Sequence, residues 1–199
     1  MNKYLSYPFL YEDSRDLRCD FEILTDEISG MIGLLRSLVK EESLRDDLTR
    51  ANELMYHINP SLRTRTAVTC EELAWLDGKT EALRAEARGD SAEQGESSPE
   101  PGESSPAGGG PRPENGGPAK GACFVLPQGC AAASLAHVIR SRCKALVRLL
   151  SRHRQQGHKT EEILFDFINL FSGYFFFLAL RLNRDSGVEE LEFKSRVYP

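Results

Sequence analysis

"FINLFSGYFFFLALRL", residues 167–182, decides what kind of fold this chain has. It reads either as a membrane span or as the centre of a protein core. Asp166 and Arg181 bracket only fourteen uncharged residues, and Asn169, Ser172 and Gly173 are among them. A spanning helix needs about 20 apolar residues. The stretch therefore predicts a helix buried in protein, and no membrane partner is expected. Its aromatics, Phe167, Phe171, Tyr174, Phe175, Phe176 and Phe177, cover more than one helical face. They serve either a core plus a subunit interface, or a wall for a large flat apolar ligand. Asn169 must satisfy its amide, through a neighbouring backbone or through a ligand.

Outward from this helix, every strong periodic signal is helical. In "DFEILTDEISGMIGLLRSLV" (20–39), Phe21, Leu24, Ile28, Met31, Ile32, Leu35 and Leu38 recur at steps of three and four. "SLRDDLTRANELMYHI" (43–58) follows, with Ser43 as expected N-cap and Leu44, Leu48, Ala51 and Met55 on one face. "TCEELAWLDGKTEALRAEA" (69–87) opens with a capping box from Thr69 to Glu72. A fourth helix is expected from Ser134 to His153, and a fifth from a Thr160 cap to about Asn183. Only "CFVL" and "LEFKSRVY" read as extended. The sum is an all-α five-helix bundle.

Residues 87–120 are built from Gly, Pro, Ser and Glu and have almost nothing to bury, so they read as a long disordered insertion. They split the chain into 1–86 and 121–199, which are expected to pack together as one domain. Net charge is −5, so nucleic acid is not an expected partner and any basic site is local. The five cysteines form no C-x-x-C pair, and the polar start "MNKYLSYPFLYEDSRD" lacks the apolar core of a signal peptide. Reduced thiols in a cytoplasm fit this pattern.

One basic stripe stands out against that acidic background. Arg140, Lys144 and Arg148 share a helix face at a spacing of four, with His137 one turn earlier and the loop "FVLPQG" (124–129) leading in. The stripe is either a solvated face or an anion site at a loop–helix junction. Asp26 and Glu27 interrupt an apolar helix, as an exposed edge or as ion-pair partners of the stripe. The four histidines form no metal motif, no metal ligand is expected, and neither G-x-S-x-G nor a Walker A sequence occurs. No Ser or Cys nucleophile follows from this chain.

Six segments in order carry a resemblance: "DEISGMIGL", "TCEELAWLD", "FVLPQG", "AHVIRSRCKALVR", "FINLFSGYFFFLALRLN" and "GVEEL". The chain resembles the ATP:corrinoid adenosyltransferases of the propanediol-utilisation type, from Leu17 to Glu86 and from Cys123 to Leu191. That resemblance implies a five-helix bundle, a homotrimer with sites between subunits, and transfer of the 5′-deoxyadenosyl group of ATP to the cobalt of reduced cobalamin, with Mg²⁺. It implies nucleotide contacts at Arg140, Lys144 and Asn169, corrinoid contacts at Phe124 and Phe176, and an ion pair between subunits from Asp26 to Arg140. No residue is implied as a catalytic acid or base.

The chain also departs from the family pattern. Lys144 stands at an arginine position and Val147 at a glutamate, Gln128 replaces the first glycine of the loop, and Gly173 replaces an aspartate. The family's N-terminal glycine loop, which wraps the triphosphate, has no counterpart in "MNKYLSYPFLYEDSRD". Turnover below that of an intact relative is therefore expected. The alternative is a corrinoid-binding or structural subunit without ATP-dependent activity.

Overall fold

The computed structural model describes Leu10, Asp13, residues 15–92, residues 124–194 and Arg196, without the side chains of 88–92 and 124. Five helices make the fold: α1 (Leu17–Leu38), α2 (Glu42–Ile58), α3 (Cys70–Ala92), α4 (Ala131–Gln155) and α5 (Glu162–Asp185). A 3-10 turn, Asn59–Leu62, closes α2. The two extended pieces pair with each other, β1 (Phe124–Val125) antiparallel to β2 (Glu192–Phe193).

The apolar stripes do what their spacing predicts. Phe21, Ile28, Ile32 and Leu35 of α1 are fully buried, as are Leu48, Ala51 and Met55 of α2, with Leu44 nearly so. Leu38, expected on the same stripe, is 43% exposed at the end of α1. On α5, Phe167, Phe171, Tyr174 and Phe175 sit at 0–1% exposure, whereas Phe176 and Phe177 are half-buried. Each fully buried side chain of this size contributes about 2–3 kcal/mol through area removed from water. By length and composition α5 could cross a membrane, yet it packs against α4 and α3, and one apolar face, with Phe167, Phe171, Tyr174, Phe175 and Leu178, is buried in the core.

α1 packs on α2 and on α4, and α4 packs on α5, which packs on α3. Long side chains join the remaining edge. The Arg50 guanidinium lies 4.4 Å from the Trp75 ring centre, and Lys79 reaches Asp47 at 2.8 Å. The connection between α4 and α5 is short, so these two run antiparallel.

The helix starts depart from expectation at three places. Ser43 lies inside α2, where its hydroxyl donates to the Glu41 carboxylate, and Glu41 holds the extended N-cap position. Thr160 does not cap α5, because its hydroxyl pairs with His153 Nδ1 at 2.9 Å, and Glu161 takes the cap position. α4 begins earlier than Ser134, since the Cys130 sulfur accepts the Ala133 N–H at 3.4 Å. The capping box forms as read: Thr69 N–H donates to Glu72 Oε2 at 2.9 Å, and Glu72 N–H to Thr69 Oγ1 at 3.2 Å. α3 continues to Ala92, into the segment expected to be disordered, and residues 93–120 of that segment lie outside the described residues.

Candidate functional site

The outer face of α5 and the adjoining edge of α4 bring together the residues expected at a site. Seven residues on a helix return to nearly the same azimuth, so Asn169 and Phe176 share one side of α5. Gly173 lies between them and puts no side chain there. A Cβ at Gly173 would meet only the Thr80 methyl, at 3.8 Å, so packing does not require the glycine.

From α4, Arg140 leans onto this face. Its guanidinium carbon lies 5.2 Å from the centre of the Phe176 ring, a cation–π contact. Arg140 is half-buried and has no carboxylate partner among the described residues. Burial pulls its pKa below the usual arginine range. Lys144 is exposed one turn further along α4, in the direction in which α5 returns to Asn169. Its pKa is lowered too, by partial burial and then by Arg140. His137 stands one turn before Arg140, with its ring 6.3 Å from Phe176. Burial first, then Arg140, lowers its pKa and favours the neutral imidazole.

Asn169 is exposed and borders a surface groove of about 470 Å³ between α5 and α3, with Cys70, Leu73 and Asp77 on the far side. A larger recess of about 760 Å³ lies at the C-terminal ends of α3 and α5. It is a poorer anion site despite its size. Its arginines already have carboxylates: Arg181 meets Glu41 at 2.6 Å and Arg184 meets Glu86 at 2.9 Å.

The two acids of α1 diverge. Glu27 forms an ion pair with Arg142, off the predicted stripe, and so is not a partner of Arg140 within the chain. Asp26 is exposed and accepts a hydrogen bond from the Tyr56 hydroxyl at 3.2 Å. Among the described residues, nothing brings Asp26 to Arg140 within one chain.

The loop into α4 is built around Asn183, which sequence reasoning passed over. Asn183 is 1% exposed. Its Oδ1 accepts the Cys130 N–H at 3.0 Å, and its Nδ2 donates to the Gln128 carbonyl and to Glu190 Oε1, each at 2.9 Å. Gly129 turns the chain beneath it with φ +126°, a region that favours glycine. The backbone of Phe124, at the start of this loop, is placed by antiparallel pairing with Phe193 of β2. A buried amide at the end of an apolar helix, plus an isolated glycine before another helix, was the available signal. Cys143 faces the core, and burial pushes its thiol pKa up to about 12, so it is no nucleophile at neutral pH. Among the described residues, no group of three or more His, Cys, Asp or Glu could hold a metal ion.

The pattern of the cobalamin adenosyltransferase family matches residues 15–182. The chain belongs to that family, a family of transferases. Its fold is similar to PduO-type ATP:corrinoid adenosyltransferase structures from Lactobacillus reuteri. An arginine-to-lysine variant complexed with ATP has a TM-score of 0.65 at 19% identity, covering 90% of this chain and 88% of that one. A phenylalanine-to-histidine variant complexed with cobalamin and ATP has a TM-score of 0.63 at 17% identity, covering 90% and 85%. The alanine variant, complexed with the same two ligands, has a TM-score of 0.63 at 19% identity, covering 90% and 87%. None of the curated proteins matches the chain.

Proposed function

We propose that this protein transfers the 5′-deoxyadenosyl group of ATP to the cobalt of reduced cobalamin, at a site completed by a second copy of the chain. Family membership supplies the reaction class. The observation that carries the site is Arg140, a half-buried cation resting on Phe176 with no carboxylate partner among the described residues of its own chain.

The chemistry asks little acid–base work of the protein. Reduced cobalt is itself the nucleophile. It attacks C5′, the C5′–O bond breaks, and triphosphate leaves with the bonding electrons. What remains is orientation, charge stabilisation on the leaving oxygens, and exclusion of water. Arg140 and Lys144 offset developing negative charge, and Asn169 orients the nucleotide through its amide. Phe176 forms an apolar wall against the corrin ring, and the family resemblance adds Phe124 as a second corrinoid contact. Mg²⁺ belongs to the family expectation. The described residues offer no converging set of metal donors, and no step here is assigned to it.

The assembly is proposed to be a homotrimer in which Arg140 meets Asp26 of the partner subunit. Such a contact would answer both loose ends, a cation without an acid and an exposed acid held by Tyr56. Cys70, Cys130 and Cys143 are free thiols among the described residues, which supports a cytoplasmic setting.

The test is a purified-protein assay with ATP, Mg²⁺ and chemically reduced cobalamin, following carbon–cobalt bond formation by absorbance. Product formation that disappears with Arg140→Ala supports the reading. Cobalamin binding with no adenosylation at any ATP concentration would overturn it.

A further inference from the structure

The site contains a second unmet demand that adenosyl transfer, as described above, does not use. His137 is 3% exposed, and neither ring nitrogen has a hydrogen-bond partner among the described residues. Buried polar groups in native proteins are nearly always paired, and an orphaned one calls for an explanation. Here both the donor and the acceptor of one imidazole are orphaned.

Its neighbours suggest what the imidazole is for. His137 and Arg140 flank the same Phe176 ring, with the His137 ring 6.3 Å and the Arg140 guanidinium carbon 5.2 Å from its centre. They lie one helical turn apart on α4. One member is a cation lacking an anion, and the other is a neutral ring lacking hydrogen bonds. A single group with an anionic oxygen answers the cation and the imidazole donor together, since it pairs with the guanidinium and accepts the imidazole N–H.

We infer that His137 is a binding residue of this site, donating a hydrogen bond to an oxygen of the same anion that Arg140 holds. The inference rests on the function proposed above. The oxygen has two available sources, a carboxylate of a second copy of the chain or a phosphate of the nucleotide, and the experiment separates them.

An orphaned buried group kept for binding has a distinctive signature. Removing it relieves the free chain but harms the complex. His137→Phe keeps a flat ring without nitrogens, and His137→Gln keeps a donor and an acceptor without the ring. Three quantities are measured on the full chain for each variant: melting temperature at a concentration where the chain is monomeric, self-association by sedimentation, and ATP binding by calorimetry. The expected result is that His137→Phe melts no lower than the parent yet loses roughly tenfold or more in one of the two affinities, the size of one hydrogen bond to a charged group. His137→Gln should recover most of that loss. Loss in self-association identifies the carboxylate source, and loss in ATP binding identifies the phosphate.

Unchanged affinities in His137→Phe, or a loss accompanied by a lower melting temperature and not rescued by glutamine, would overturn the role of His137 while leaving the proposed function standing. A parent chain that neither self-associates nor binds ATP would sink both.

Discussion

The side-chain amide of Asn183 occupies the space that a β-carbon on Gly129 would need: an ideal Cβ there would lie 1.9 Å from Asn183 Oδ1. This contact ties the end of α5 to the loop that starts α4, and so ties the two helices that carry Phe176 and Arg140. Gly129→Ala is expected to destabilise the fold by about 2–4 kcal/mol, combining a positive φ with a clash against a buried, fully bonded side chain. Asn183→Ala should cost about 2–3 kcal/mol by orphaning the Cys130 N–H and the Gln128 carbonyl. The double variant should cost less than the sum, because removing the amide makes room for the methyl. Urea denaturation of the three proteins measures this, and strict additivity would count against the contact.

Gly173 behaves oppositely. It lies mid-helix in α5, and a Cβ there finds ordinary contact with Thr80. Gly173→Ala should stabilise the chain by about 1 kcal/mol through helix propensity. Because the added methyl enters the space between Asn169 and Phe176, ligand affinity is expected to fall even as the melting temperature rises. Equal or tighter ligand binding in the alanine variant would mean that this face does not carry the site.

The bundle was legible because its information is local. Periodic stripes in 20–39 and 43–58, and the aromatic run at 167–182, specify buried faces without reference to distant residues. Caps were harder. Ser43 and Thr160 are good capping residues that hydrogen-bond elsewhere, Ser43 to Glu41 and Thr160 to His153. Those choices depend on side-chain competition that a local pattern does not contain. The basic stripe was legible as a stripe, but not that its three members have no carboxylate among the described residues while a cation beside them does. Arg142, outside the stripe, takes Glu27, while Arg140 has no carboxylate among the described residues. Asn183 escaped notice because its three partners come from segments 7 to 55 residues away in the chain.

Acid should destabilise the fold through two histidines. His153 is buried, bonded to Thr160 and stacked at 4.7 Å on His158, and burial, then His158, lowers its pKa. His137 is lowered by burial, then by Arg140. In both, the unfolded chain binds the proton more readily, with its imidazoles near an ordinary value of about 6.5. Their contribution is fully present above that value and is lost as pH falls through the lowered folded-state values. Denaturant midpoints should therefore decline between about pH 7 and pH 5, and His153→Gln should flatten the decline relative to the parent slope. A parent midpoint that is level or rising across that window would contradict the prediction.

The proposed contact between subunits makes a separate prediction. Asp26→Asn and Arg140→Gln should each weaken self-association, while the double variant should be little worse than either single one. The coupling should exceed the roughly 0–1 kcal/mol of an exposed surface pair, because Arg140 is half-buried. Sedimentation of the four proteins at matched ionic strength gives the cycle, and zero coupling would show that Asp26 is not the partner.

The last prediction concerns Lys144 and Val147, neighbours on α4 with different surroundings. Lys144 is exposed, so Lys144→Arg should leave stability within about 0.5 kcal/mol. The guanidinium adds a planar, two-pronged donor where the ammonium offers a point charge, so ATP affinity should increase. Val147 is half-buried and packs against the hydrophobic core. Val147→Glu must bring a carboxylate to that boundary, where desolvation opposes ionisation. Its expected cost is about 1–3 kcal/mol of stability. Combining the two substitutions should therefore yield a protein that binds ATP more tightly than the parent but melts at lower temperature, with adenosylation limited by the fraction folded at assay temperature. Calorimetric ATP titrations beside melting curves for the parent, both single variants and the double variant separate the two effects. A double variant that is both tighter-binding and more stable would show that the introduced carboxylate forms an ion pair with a cation of α4, and that Val147 is not a packing requirement of this bundle.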